Sequence, residues 1–277
     1  MAGAAANDVI NIAEGVYSPL TSLDINVALT IVGGFPTGGG TQYVTVHTTE
    51  IRGDAVPANL LNPIFEIQAT ATTQFNGISF TNALNAINTR SSVAILFSTF
   101  DTIGITGDNN SWLVFIETNF DIGYIRINDS NIRNNAASIT RSINASDETT
   151  AEISIVNSVI ENNIGRYFVE LDEPETTALN ITYCVFRGND LDQSKFEIDI
   201  DAINIAVAIT GSTFENNNNG VIDNAAVRST TQILNSDFNE NLGGDIIMFD
   251  LQDTDATVRN CHFRRSQLPI KWNSKDI

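Results

Sequence analysis

Apolar and polar residues alternate along this chain in short runs, and the same small residues close each run. Ile153-Ser-Ile-Val-Asn-Ser-Val-Ile-Glu-Asn-Asn163, Leu179-Asn-Ile-Thr-Tyr-Cys-Val-Phe-Arg-Gly-Asn189 and Val207-Ala-Ile-Thr-Gly-Ser-Thr-Phe-Glu-Asn-Asn217 are copies of one phrase. It reads apolar, any, apolar, two residues, a small Ser or Cys, any, Phe or Ile, two residues, Asn. Aligned on the small residue, the phrase recurs at Ser130, Ser158, Cys184, Ser212, Ser236 and Cys261, at steps of 28, 26, 28, 24 and 25 residues. Two weaker copies, Phe75-Asn-Gly-Ile-Ser-Phe80 and Phe100-Asp-Thr-Ile-Gly-Ile105, extend the series upstream, with Ile78 and Ile103 in the anchor position.

A second extended run lies between successive phrases. Examples are Ile64–Ile67, Val93–Phe97, Trp112–Ile116, Tyr167–Leu171, Phe196–Ile200 and Ile246–Phe249. These runs are rich in β-branched and aromatic residues and are bounded by Asn, Gly, Asp, Ser or Pro, which is strand and turn chemistry. No stretch sustains a period of 3.6 residues, so no helix is expected. A helix-free unit of about 25 residues with two or three short strands is the rung of a parallel β-solenoid. Leucine-rich repeats have a similar period, but their leucine spacing is absent. A β-sandwich has no reason to hold one residue column at a steady step.

The phrase can be read inside such a rung. Residues two apart on a strand share a face, so the anchor and the Phe or Ile after it (Ile132, Ile160, Phe186, Phe214, Phe238, Phe263) both point into the bore. The Asn three residues later (Asn135, Asn163, Asn189, Asn217, Asn241) falls where the chain must turn. Asn tolerates left-handed backbone and bonds nearby main chain, and stacked copies can form an amide ladder. The expected organisation is one continuous domain. Residues 1–60 form less regular opening rungs with a loop excursion near 36–48, residues 61–266 form regular rungs, and residues 267–277, with Pro269, two lysines and Trp272, form a C-terminal cap. About ten rungs at about 4.8 Å each make a rod roughly 50 Å long.

Composition narrows the partners. Fourteen Lys+Arg against 33 Asp+Glu give a formal net charge of −19, a field that repels nucleic acid and anionic membrane surfaces. No apolar run is long enough to span a bilayer, and the first residues, Met-Ala-Gly-Ala-Ala-Ala-Asn, do not read as a signal peptide. The two cysteines, Cys184 and Cys261, share the anchor column three rungs apart, about 14 Å at the sheet spacing. That exceeds disulfide reach, so both are expected to be buried free thiols.

The Phe-x-x-Asn phrase followed by a Gly243-Gly244-Asp245-Ile246 turn, and more loosely by Asn219-Gly220-Val221-Ile222, resembles the repeat of polymorphic outer membrane proteins. It also resembles the wider group of pectate-lyase-like, right-handed parallel β-helix surface proteins of bacteria. The opening, Asn11 to Pro19, then Leu29 to Pro36, then Ile51-Arg-Gly-Asp54, is similar to the first coils of Bacteroidetes-type secreted β-helix proteins. The resemblance spans nearly the whole chain. It implies a single-stranded right-handed parallel β-helix, and export to the cell surface or beyond.

Candidate chemistry is sparse. Right-handed β-helices include polysaccharide lyases and hydrolases, which need a basic proton acceptor or suitably spaced carboxylates. The only lysines are Lys195, Lys271 and Lys275, and His47 and His262 stand alone in sequence. His262, between Cys261 and Phe263, is expected to face solvent, and Arg166, Arg187 and Arg228 to pair with acids on neighbouring rungs. The best site candidate is acidic. Glu197, Asp199 and Asp201 alternate with Phe196, Ile198 and Ile200 and so share one outward face. Glu170 and Asp172 fall one rung before, Asp223 one rung after and Asp250 two after. Stacked carboxylates repel unless a cation intervenes, and hard oxygen ligands suit Ca²⁺. A solvated acidic face is the plainer reading of the same residues. Trp112, Phe115, Tyr124, Tyr167, Phe168 and Trp272 form a pool of aromatics for sugar stacking, with burial the plainer reading. The sequence thus points to a non-catalytic surface module, an adhesin or structural rod with an acidic side. The alternative is a Ca²⁺-assisted polysaccharide-binding or lyase-like protein. The expected partner is a cell-surface polysaccharide or another surface protein.

Overall fold

In the computed structural model, thirty strands form three parallel sheets of ten strands each, and every sheet takes each third strand of the chain. The structure describes residues 3–54, 62–104, 111–116, 123–142, 150–164, 167–172, 176–189, 197–201, 205–218, 222–224, 229–242, 247–251, 255–266 and 270–274. Among them there is no helix. The chain therefore winds as a parallel β-solenoid whose three sheets enclose one continuous core.

The apolar columns explain the winding. In the first sheet Ile31, Phe75, Ile95, Ile127, Ile155, Ile181, Ile209 and Ile233 occupy one register column, and each is fully buried. β-Branched side chains suit such a column because neighbouring copies pack along the axis on a pleated surface. In the second sheet Phe186, Phe214, Phe238 and Phe263 stack with ring centroids 4.6, 4.9 and 4.9 Å apart, which is the strand spacing itself. Phe80 and Phe100 stack likewise at 4.7 Å.

From Ile78–Ala83 onward, each short strand of the second sheet is bracketed by two left-handed residues. One precedes the small anchor: Gly77, Phe97, Asp129, Asn157, Tyr183, Gly211, Asn235 and Asn260. The other precedes the buried Asn: Asn134, Asn162, Gly188, Asn216 and Glu240. The ladder asparagines are thus not the left-handed residues that their turn position suggested; their predecessors are. Asn134, at φ 55°, turns the chain, and Asn135, 1% exposed, is free to point inward.

Two hydrogen-bond ladders run along the axis beside these turns. The Asn135, Asn163, Asn189 and Asn217 amides each donate from Nδ2 to Oδ1 of the next ladder Asn at 2.8–3.0 Å. That same Oδ1 accepts the backbone N–H of the preceding ladder residue. The small anchors do a parallel job. Ser130, Ser158, Ser212 and Ser236 accept a backbone N–H from the turn before and donate to the carbonyl two residues back in their own turn. A hydroxyl one carbon from the backbone reaches both groups, which is why the position is small as well as buried.

Register corrects one upstream anchor. Thr99 pairs with Asn131 and with Ser79, so the residue in line with Ser130 is Ser98, not Ile103. Ile78 does belong to the column, through its pairing with Thr49, and it donates its N–H to Ser98 Oγ. The steps around Ser98 are therefore 20 and 32 residues. The phrase after Phe100 has no Ser at Ile103 because that residue lies in the Asn column, donating its N–H to Asn135 Oδ1. Residues 36–48 leave the coil between Leu29–Phe35 and Thr49–Arg52, and Gln42 ties them down through Nε2 to Gly33 O at 2.9 Å. At the far end the segment read as a cap contains Ile270–Ser274, a strand in register with Ile247–Leu251. Apolar Ile270 continues the Ile222, Ile247 column, and this alternation outweighs Pro269 as a stop signal.

Cys184 is 1% exposed, and its burial pushes the thiol up to about 11. Cys261 is only half-buried; it immediately precedes His262–Arg264, the last described strand of the second sheet. Both are free. A thiol reagent at pH 8 is expected to modify one cysteine, Cys261, in the native protein and both after unfolding. Rapid loss of both thiols under native conditions would contradict the burial of Cys184.

Candidate functional site

The third sheet carries the acidic residues singled out from sequence. Its core column, Val169, Ile198, Ile222 and Ile247, fixes the register. Val169, Ile222 and Ile247 are buried. The next position along these strands belongs to the opposite face of the pleat. There the pairing brings Glu170, Asp199 and Asp223 into one column on three successive strands. Asp172 pairs with Asp201 in a second column two residues along. Glu197 pairs with Tyr167 across a register shift and so stands apart from both columns. Asp250 follows Phe249, which aligns with Asn224 and Ile200, so it continues the Asp201 column two strands later. The side chains of Glu170, Asp172, Glu197, Asp199, Asp201 and Asp223 lie outside the described residues, so what is established is their backbone alignment.

The same column has a defined context. Arg141 pairs with Glu170 on one side, and Met248 then Lys271 follow Asp223 on the other. The acidic triple is thus bounded along the axis by Arg141 on one side and by Met248 on the other, with Lys271 one strand further. Near the start of the column Glu66 is paired with Arg90 at 3.4 Å, and Gln68 bridges the two. Acidic residues in neighbouring strand positions repel one another in general, and hard oxygen ligands suit a divalent cation. Among the described residues no group of three or more His, Cys, Asp or Glu could hold a metal ion.

Several other described charged residues pair across turns. Arg187 meets Glu161 at 2.6 Å and Arg133 meets Asp101 at 2.9 Å, the surface pairing expected for Arg187; Arg166 and Arg228 lie outside the described residues. His262 is exposed, as expected, with Nδ1 2.8 Å from Asp237, and His47 sits 2.8 Å from Glu14. The hydrogen bond from His47 is the main reason the Glu14 carboxyl titrates below its usual range. Glu50 is lowered too, chiefly by the Arg52 guanidinium at 2.7 Å and then by the Thr81 hydroxyl at 2.6 Å. A carboxyl whose pKa is lower in the folded state contributes stability above its unfolded value of 4.5 and loses it as pH falls through the depressed one. Glu50→Gln is therefore expected to lower Tm at pH 7 and to flatten its decline below about pH 4.5, so that the two proteins converge in acid. An unchanged acid slope in Glu50→Gln would refute the assignment.

Two exposed aromatics escaped the sequence reading. Phe97 and Tyr183 are 51% and 63% exposed and occupy the left-handed corner before the anchor. They lie in one line, separated by Asp129 and Asn157, at about 14 Å by strand spacing. A signal for them existed. Every other corner of this series holds Gly, Asp or Asn, so an aromatic there departs from turn chemistry. The Tyr183 ring packs on Gly211 so closely that a Cβ at Gly211 would fall 2.6 Å from it. Of the aromatics proposed from sequence, Trp112 is half-buried, and Tyr124 lies beneath Arg126, whose guanidinium carbon is 4.3 Å from the ring centre. The side chains of Phe115, Tyr167, Phe168 and Trp272 lie outside the described residues.

Compared with known proteins, the sequence matches no family model and no curated protein at a significant level.

Proposed function

We propose that this chain is a right-handed parallel β-helix of about ten rungs that serves as a non-catalytic, secreted or cell-surface rod, presenting the acidic columns of its third sheet to a partner. The observation that supports this reading is the alignment of Glu170, Asp199 and Asp223 on three successive strands. Side chains on such a sheet repeat at a fixed spacing, so the rod displays charge as a linear array. An array of this kind selects multivalent partners: Ca²⁺, or a surface protein with basic residues at matching intervals.

The test is thermal unfolding with Ca²⁺ and with chelator, on the parent and on Asp199→Asn. If Ca²⁺ binds the columns, it raises the parent's Tm by several degrees and the variant's by less. An identical Ca²⁺ response in the two proteins would remove the cation from the proposal and leave a plain acidic face.

A polysaccharide-binding module is the second reading, and the exposed Phe97 and Tyr183 favour it. Aromatic faces held rigidly on a sheet corner suit stacking against sugar rings. A glycan panel separates the two readings. Binding that is lost in Phe97→Ala and Tyr183→Ala supports the second, and binding that is insensitive to both counts against it.

A further inference from the structure

The second sheet carries a different charge pattern from the third. Its outward positions flank the buried column of Ile132, Ile160, Phe186 and Phe214. On one side of that column the pairing aligns Asp101, Arg133, Glu161, Arg187 and Glu215 on five successive strands. The sign of the charge alternates at every step. The two arginines are exposed and the three carboxylates half-buried. Each arginine bonds the acid one strand before it, Arg133 to Asp101 and Arg187 to Glu161. A guanidinium has five donors and a carboxylate several acceptor positions, so these pairs leave capacity for a further partner. On the other side of the buried column the aligned residues are Asn131, Val159, Val185 and Thr213, all uncharged.

Such a face stands out on a chain of net charge −19. Copies of a strongly acidic protein repel one another wherever surfaces of one sign meet. A row of alternating charges nearly cancels its own field at a distance and attracts only at close range. Its complement is a surface whose charges alternate at the same step of about 4.8 Å. A second copy of this chain offers that step, because its strands stack with the same rise.

We propose that two copies pair face to face through the second sheet, with their long axes antiparallel. Parallel axes related by a two-fold set each residue against itself, Arg133 on Arg133 and Glu161 on Glu161. Antiparallel axes avoid this. A two-fold that runs along the strands, midway between Val159–Glu161 and Val185–Arg187, sets Arg133 against Glu215 of the second copy and Glu161 against its Arg187. Asp101 then falls opposite uncharged Asn239, the residue that follows Glu215 in the column. In the uncharged column the same two-fold brings Val159 onto Val185 and Asn131 onto Thr213. Eight strands of this width cover about 600 Å² per copy, the low end for a specific interface, so the pair exchanges with monomer at micromolar concentration. The third sheet stays on the outside of the pair, and its acidic columns remain open to a partner.

The test is sedimentation velocity on the whole chain from low to high micromolar, with small-angle X-ray scattering of the same samples. Face-to-face pairing gives an equilibrium that stops at two copies, because an isologous contact is closed. The dimer keeps the monomer's length and has about twice its cross-section. Arg133→Glu and Glu215→Arg each bring like charges together across the interface and weaken association about tenfold, and the double variant Arg133→Glu/Glu215→Arg restores it. Within one chain these residues lie three strands apart, about 14 Å, so the restoration reports a contact between copies. Circular dichroism confirms that each variant folds. Val159→Asp, at an outward position opposite Val185 of the second copy, replaces any that does not, and it is also expected to weaken association. A monomer at every concentration, particles that lengthen instead of widen, or a double variant no better than the singles would overturn the proposal.

Discussion

Asn189→Ala is expected to cost about 3–4 kcal/mol of folding stability, far more than an asparagine on the outside of the same coil. Asn189 is fully buried and sits mid-ladder. Its Nδ2 donates to Ile160 O at 3.1 Å and to Asn217 Oδ1 at 2.8 Å, and its Oδ1 accepts from both the main chain and the amide of Asn163. Truncation to a methyl group strands all of these partners where water does not reach. A buried polar group left without a partner costs about 1–3 kcal/mol, and the bonds it made are also lost. Asn180, on the outer side of the first sheet, is the control, and its replacement by Ala is expected to fall within about 0.5 kcal/mol of the parent. Urea unfolding measures both. Equal costs at the two positions would mean that the ladder contributes nothing special.

Phe214→Ala is expected to cost about 3–5 kcal/mol. Phe214 is 1% exposed and stacks between Phe186 and Phe238 at 4.6 and 4.9 Å. Removal of the ring forfeits its transfer free energy and opens a void whose walls are held apart by the hydrogen-bonded strands on either side. Those strands cannot approach one another, since their separation is fixed by the parallel ladders above and below. Collapse, the usual relief for a cavity, is therefore restricted. Position along the axis supplies the control. Phe263, in the same column but half-buried at the last turn, is expected to cost about half as much as Phe214. In a solenoid each turn touches only its neighbours, so a mid-rod defect also threatens cooperativity. A lowered denaturant dependence in Phe214→Ala would show the two halves unfolding separately. A Phe214 variant no less stable than the Phe263 variant would refute the stacked core.

The acidic site was legible only in part. Alternation with Ile198 and Ile200 places Glu197, Asp199 and Asp201 on one face from sequence alone, since the pleat has a period of two. Alternation within one strand carries no information about its neighbours. The irregular shift between Tyr167 and Val169 separates Glu197 from the acids of the preceding strand and brings Glu170 beside Asp199. No count along the chain reveals such a shift. Phe97 and Tyr183 show the converse. Their departure from turn chemistry is written in the sequence, but their exposure follows from the left-handed corner that the coil imposes.

What the sequence by itself determined was the coil. A repeated phrase with small, aromatic and asparagine columns requires parallel stacking, because identical residues gain most when they meet copies of themselves at strand spacing. Its local chemistry also fixed which residues enter the core. The tertiary structure decided the roles of single members: Asn134 turns the chain so that Asn135 can bond along the axis, and Ser98 rather than Ile103 is the anchor of its turn. It also set Ile270–Ser274 in register with Ile247–Leu251. The physical reason is common to all three. Hydrogen bonds between turns join residues some 20 to 32 positions apart, and their register depends on the length of every intervening loop.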